Sequence, residues 1–69
     1  MNIQSTEALG KAIRARRKSL GVTQKDLALA SGTGLRFVSD LEQGKVTCQI
    51  GKALDVVRSL GMSVEVDVS

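Results

Sequence analysis

Apolar residues return at three- and four-residue intervals through most of this chain, and at two-residue intervals only at its end. The first block, Leu9, Ala12, Ile13 and Leu20, fits one side of a helix from about Thr6 to Ser19, capped by Ser5 or Thr6. Gly21 ends it, because glycine accepts the left-handed backbone in which helices often stop. Residues 1–4 read as a loose terminus. In "TQKDLALAS", Thr23 and Asp26 resemble a capping box, although Glu or Gln is the usual partner at that spacing. A helix of about eight residues follows, with Leu27, Ala28 and Ala30 inward, and it stops at Ser31-Gly32. A third runs from Gly34 or Leu35 to about Gln43, with Val38 and Leu41 inward and Leu35 or Phe37 at the margin, and Gly44 closes it. A fourth spans about Gln49 to Leu60, with Thr47 as cap and Ile50, Ala53, Leu54, Val57 and Leu60 as its stripe, and Gly61 ends it.

The tail "MSVEVDVS" alternates strictly, with Val64, Val66 and Val68 on one side and Ser63, Glu65 and Asp67 on the other. A period of two marks a half-buried strand. No second strand is evident, and a lone strand leaves its backbone N–H and C=O groups unpaired. Two copies of residues 62–68 could pair as an antiparallel ribbon that buries the three valines. A short strand around Ile3, pairing within the chain, is the local alternative. The expected division is a helical domain over residues 1–61 and a dimerisation strand over 62–69.

Sixty-nine residues suffice for one small domain. Phe37 is the sole aromatic residue, so the core must be built from Leu, Val, Ile and Ala. Domains this small are marginal alone, and oligomerisation is a common remedy. One cysteine, Cys48, and no histidine leave no internal disulfide and almost no metal ligands, so neither a metal nor a cofactor is expected. Cys48 has no evident basic partner and reads as an inert thiol. Ser31 and Ser39 lack a histidine to activate them, and no other activated nucleophile is visible, so an enzyme is disfavoured. No apolar run is long enough for a membrane span or a signal-peptide core, and a cytoplasmic setting is the expectation.

The charge of +3 says little, but its distribution says more. Lys11, Arg14, Arg16, Arg17, Lys18 and Lys25 form a basic stretch without an acid, whereas Glu65 and Asp67 follow Gly61 without a base. That asymmetry suits a polyanion at one end, although a solvated helix face would look the same. Gly32-x-Gly34 could suggest a phosphate loop. It follows a helix rather than a strand, however, and lacks the rest of the dinucleotide fingerprint. Two short helices joined by a turn on Gly32 instead have the proportions of a helix-turn-helix, with Ala28 and Ala30 allowing a close crossing. The second helix could then enter a DNA major groove.

The run "TQKDLALASG…VSDLEQGK", preceded by "LGKAIRARRKSLG", resembles the phage-repressor and Cro-like helix-turn-helix family, also called the XRE family. The matching positions are Leu9, Ile13, Arg17, Leu20-Gly21, Thr23-Gln24, Leu27-Ala28, Gly32, Val38, Leu41-Glu42 and Gly44-Lys45, and the likeness covers about residues 7–60. The compact chain, "RFVSDLEQGK" and a strand directly after the fourth helix look most like the HipB-type antitoxins. The resemblance implies a mainly α, four-helix, lambda-repressor-like DNA-binding domain with one short C-terminal strand pairing across a dimer. It implies a bacterial transcriptional repressor that binds double-stranded DNA at a palindromic operator as a homodimer. It also implies a HipA-type kinase toxin as partner; a repressor with no toxin is the alternative.

Carried over by position, Thr23, Gln24, Gln43 and Lys45 would bind DNA phosphates, Gln24 also buttressing the recognition helix. That helix spans about 34–43. Leu35, Arg36, Ser39 and Asp40 would face the bases. Arg36 is the strongest reader, because guanidinium matches guanine O6 and N7. Asp40 departs from the long or basic residues common at its position: it either accepts a hydrogen bond from cytosine or positions Arg36 one turn away. Leu35 could touch a thymine methyl. Gly34 stands where Ser or Thr usually caps. Arg17 and Glu42 match a pair that forms a buried salt bridge in the family, which is the expectation here; the alternative is that Arg17 joins the basic face.

Overall fold

The computed structural model describes residues 2–3, 5–45, 49–62 and 65–66, with side chains for 5–45 and 49–62. Along the chain lie β1 (Asn2–Ile3), α1 (Thr6–Ser19), α2 (Gln24–Ser31), α3 (Leu35–Glu42), α4 (Ile50–Ser59) and β2 (Glu65–Val66). Local chemistry sets the helix limits. Ser5 caps α1 by accepting the Ala8 N–H at 3.1 Å. Thr23 and Asp26 form the full reciprocal box, at 3.1 and 3.3 Å, so the shorter Asp suffices there.

All four helices stop alike. Gly21, Gly32, Gly44 and Gly61 each take positive φ, and the residue after each donates its N–H back to a carbonyl of the last turn. In α3 these bonds run from Gly44 to Leu41 and from Lys45 to Asp40, both at 3.1 Å. This closure satisfies carbonyls that would otherwise be orphaned.

Ile13, Leu27, Ala28, Val38, Leu41, Ala53, Val56, Val57 and Leu60 form one buried cluster, with Leu9, Phe37 and Met62 packed on its edge. α1 packs on α3, α3 on α2, and α4 chiefly on α2. Several expected inward positions lie outside this cluster. Leu20 is 48% exposed, Ile50 66% and Leu54 41%, and Ala30 is exposed too. On α4 the apolar residues allow two overlapping stripes. Contact with α2 selects the arc of Ala53, Val56, Val57 and Leu60, which leaves Ile50 and Leu54 on a flank. The expected Thr47 cap lies outside the described residues.

The C-terminal strand does not stand alone. β1 pairs with β2 in parallel, Asn2 opposite Glu65 and Ile3 opposite Val66. The local alternative around Ile3 therefore describes one edge of β2. β1 also corrects the loose terminus expected at residues 1–4: two residues are too few to show a period of two, so their pattern alone does not mark a strand. Val64 and Val68 lie outside the described residues, as does Cys48.

Candidate nucleic-acid interface

The turn from α2 to α3 is set by Gly32, at φ 70°, after which the Thr33 N–H donates to the Ala28 carbonyl at 3.0 Å. The Thr33 hydroxyl shares a 2.8 Å hydrogen bond with Ser31 Oγ, inside the turn. Gly34 then opens α3 without a side-chain cap. The N–H groups of its first turn are therefore left to solvent or to an approaching acceptor.

α3 divides cleanly by burial. Val38, Leu41 and Glu42 face inward and Phe37 is half-buried. The expected base-facing set looks outward: Leu35 is 51% exposed, the Arg36 side chain 93%, and Ser39 and Asp40 are partly exposed. Gln43 is exposed and its amide donates to Ser39 Oγ at 3.2 Å. Lys45 Nζ lies 3.3 Å from Asp40 Oδ1, and Arg36 Nε lies 4.0 Å from Asp40 Oδ2. At the start of α2, Thr23 spends its backbone N–H and one hydroxyl lone pair on the cap, while its hydroxyl hydrogen remains a donor. Gln24 is half-buried and its amide donates to Glu42 Oε1 at 3.2 Å.

Beneath this face sits an ionic node. Arg17 Nε donates to Glu42 Oε2 at 2.7 Å and Nη2 to Oε1 at 3.0 Å, a two-pronged pair, while Nη1 donates to the Val22 carbonyl at 2.9 Å. The side chains are 12% and 3% exposed. The hydrogen bond that Arg17 donates to the Glu42 carboxylate raises the guanidinium pKa above its ordinary value, although burial opposes it. One carboxylate thus links α1, α2 and α3. Among the described residues, no buried side-chain nitrogen or oxygen lacks a partner.

A family model described as helix-turn-helix matches residues 13–66. The chain belongs to the XRE-type helix-turn-helix family of DNA-binding transcriptional regulators. A curated relative, the uncharacterized HTH-type transcriptional regulator y4mF of Sinorhizobium fredii (strain NBRC 101917 / NGR234), is 44% identical over 64 residues, covering 93% of this chain and 84% of that protein. Among solved structures, the clp gene regulator ClgR from C. glutamicum superposes with a TM-score of 0.73 at 38% identity, over 84% of this chain and 75% of that one. The restriction-modification controller protein C.AhdI from Aeromonas hydrophila gives 0.74 at 24% identity, over 84% of each chain, a likeness of fold. A single-substitution variant of the controller protein C.Esp1396I gives 0.75 at 25% identity, over 91% of this chain and 80% of that one.

In this XRE-type chain the seat of α3 rests on contacts that the sequence pattern did not show. A Cβ on Gly10 would lie 2.5 Å from the Leu41 carbonyl oxygen and 2.7 Å from that of Glu42, so only glycine allows this approach of α1 to α3. The Thr6 hydroxyl donates to the Gly44 carbonyl at 2.9 Å, and a Cβ on Gly44 would meet the Glu7 Cα at 2.8 Å. A glycine inside a helix costs about 0.5–1 kcal/mol relative to alanine, and that unexplained cost in "EALGKAI" was the available signal. The basic stretch is also less uniform than it read. Arg16 Nε donates to the Leu60 carbonyl at 3.1 Å and Arg17 turns inward, whereas Lys11, Arg14, Lys18 and Lys25 are exposed. Among the described residues there is no metal-binding group of His, Cys, Asp or Glu, and no helix is long and apolar enough to cross a membrane.

Proposed function

We propose that the chain is a sequence-specific transcriptional repressor that binds a palindromic operator as a symmetric homodimer in the bacterial cytoplasm. The observation that carries this reading is the division of α3. One side presents Leu35, Arg36, Ser39 and Asp40 to solvent, while the other ends in the buried Arg17–Glu42 pair. A helix presented in this way fits a major groove, and Arg36 at its first turn suits guanine. Thr23, Gln24, Gln43 and Lys45 flank that side as phosphate partners, with Gln24 held ready by Glu42.

The dimer rests on β2. β1 fills one edge of the strand, and no other described strand pairs with the remaining edge. The same edge of a second copy would satisfy it around a twofold axis, with Val64, Val66 and Val68 in the pairing. Such a dimer sets two recognition helices on one face, as a palindrome requires.

A finer reading concerns the partner. "RFVSDLEQGK" and a strand following soon after α4 favour an antitoxin of HipB type, which would also hold a HipA-type kinase toxin. A kinase-like gene beside this one, and a kinase that co-purifies with the native protein, would support that reading. An isolated gene would leave a stand-alone repressor.

The test of the main reading is selection from random DNA, followed by substitution. Arg36→Ala should relax base choice at a cost of about 1–3 kcal/mol, and Lys45→Ala should weaken binding to every sequence alike. Equal losses on selected and random DNA in both variants would refute the assignment of the reading face.

A further inference from the structure

Asp40 is an acid at the centre of a surface meant for a polyanion. An unneutralised carboxylate there would be repelled by phosphates on both sides of the groove. Its two oxygens, however, are directed to two different cations. Oδ1 accepts from Lys45 Nζ at 3.3 Å, and Oδ2 lies 4.0 Å from Arg36 Nε. The Lys45 side of this arrangement is built into the backbone. Gly44, at φ 77°, reverses the chain, and the Lys45 N–H donates to the Asp40 carbonyl at 3.1 Å. Glu7 packs against Gly44 and Thr6 donates to its carbonyl, so α1 supports the reversal. Lys45 is thereby returned over the residue whose carboxylate it meets. The Arg36 side follows from the helix, where residues four apart are neighbours.

We propose that Asp40 is a positioning residue that reads no base itself: it couples the base-reading Arg36 to the phosphate-binding Lys45. This rests on the DNA-reading assignment made above. Each contact is weak in the free protein, because Arg36 is almost fully exposed and exposed pairs contribute little. In the groove, water is excluded and the same contacts strengthen. The carboxylate then restrains the guanidinium of Arg36 in the plane that meets guanine, and its charge is spent on protein cations. Cytosine would have to compete with Lys45 and Arg36 for its oxygens.

Two consequences separate this role from direct reading and from a merely structural one. Loss of Asp40 should release discrimination at the base pair that Arg36 reads and nowhere else. It should also strengthen binding to random DNA, because Lys45 loses its internal counter-charge and a repulsive anion leaves the interface.

The experiment uses the full chain and a 30-base-pair duplex carrying the sequence that the wild-type protein enriches from a random pool. Single-base-pair variants of that duplex and an unrelated duplex complete the set. Affinities are measured for wild type, Arg36→Ala, Asp40→Asn and the double variant at several salt concentrations. Asp40→Asn should lower discrimination about tenfold at the pair that Arg36→Ala also releases. It should add nothing in the Arg36→Ala background and should tighten binding to the unrelated duplex. Release of a different base pair by Asp40→Asn would mean that Asp40 reads directly, and would overturn the proposal. Multiplying effects in the double variant, unchanged discrimination, or weaker binding to both duplexes would overturn it as well. If Arg36→Ala itself leaves discrimination intact, the DNA-reading assignment has failed, and the coupling fails with it.

Discussion

Replacing Glu42 by alanine should nearly unfold this domain. The wild-type carboxylate accepts two Arg17 bonds and one from Gln24 in a site where its side chain is only 3% exposed. Alanine removes all three bonds and leaves a guanidinium that is 12% exposed facing a void, with the Val22 carbonyl as its remaining acceptor. Breaking a buried pair on one side costs about 3–5 kcal/mol, because the surviving charge keeps its desolvation penalty. A chain of 69 residues has about 3–10 kcal/mol in all, at roughly 0.05–0.15 kcal/mol per residue. The expected fall in Tm is about 10–40 °C, at roughly 4–8 °C per kcal/mol for a domain of this size.

The decisive control replaces both partners. Arg17→Met with Glu42→Leu removes the charges together and keeps apolar volume, so it should stay within about 1–2 kcal/mol of wild type, or exceed it. Arg17→Met alone, which strands Glu42, should be nearly as harmful as Glu42→Ala. With Glu42→Leu added as the matching single, thermal and urea denaturation followed by circular dichroism give all four corners of the cycle. A Glu42→Ala variant that melts within a few degrees of wild type would refute the reasoning. So would a double variant as unstable as the sum of the singles.

Other outcomes follow from the same contacts. Gly10→Ala gains about 1 kcal/mol of helix propensity but drives a methyl into two backbone carbonyls, a strain of about 1–3 kcal/mol; the net should be a lower Tm, and an unchanged or higher one would contradict the close approach. Gly34→Ser enters open space at a position whose backbone already suits a cap, so denaturation should show a gain of a few tenths of a kcal/mol. A chain ended at Met62 keeps that residue's packing on the core but loses β2; it should remain helical, sediment as a monomer and bind the selected duplex more weakly, whereas a dimeric truncated form would refute pairing through β2.

The helices were legible because their ends are written locally: Ser5, the Thr23–Asp26 box and the four stopping glycines act within a few residues. The exposed set on α3 was legible for a similar reason, since residues at the spacing of Leu35, Arg36, Ser39 and Asp40 share a side once Val38 and Leu41 point inward. What stayed hidden is tertiary. Ile50 and Leu54 carry the right spacing for a core, but α2 meets a different arc of α4. Arg16 is exposed like its basic neighbours, and its hydrogen bond to the Leu60 carbonyl, 44 residues away, is set by the fold alone. Gly10 shows its reason only when the backbone of α3 is beside it.

These hidden contacts explain how so short a helix is held in one orientation. α3 has eight residues, and only Val38 and Leu41 anchor it as fully buried apolar side chains, with Phe37 at the margin. Apolar packing is non-directional, so two anchors leave rotation about the helix axis loosely fixed. The directional contacts supply what packing does not, and they gather at one end. Gly10 sets the distance of α1 from the last turn, and the two-pronged Arg17–Glu42 pair sets its rotation. The Gly44 reversal, held by Thr6 and Glu7, sets the exit of the chain. The first turn, by contrast, has no side-chain cap and carries the most exposed of these side chains, Arg36. A helix clamped at its C-terminal end and open at its N-terminal end can offer both its free N–H groups and its exposed side chains to one ligand. On the proposed reading of α3, stability and recognition therefore meet in Glu42 without sharing a surface, and this buried carboxylate should govern how well Arg36 is aimed.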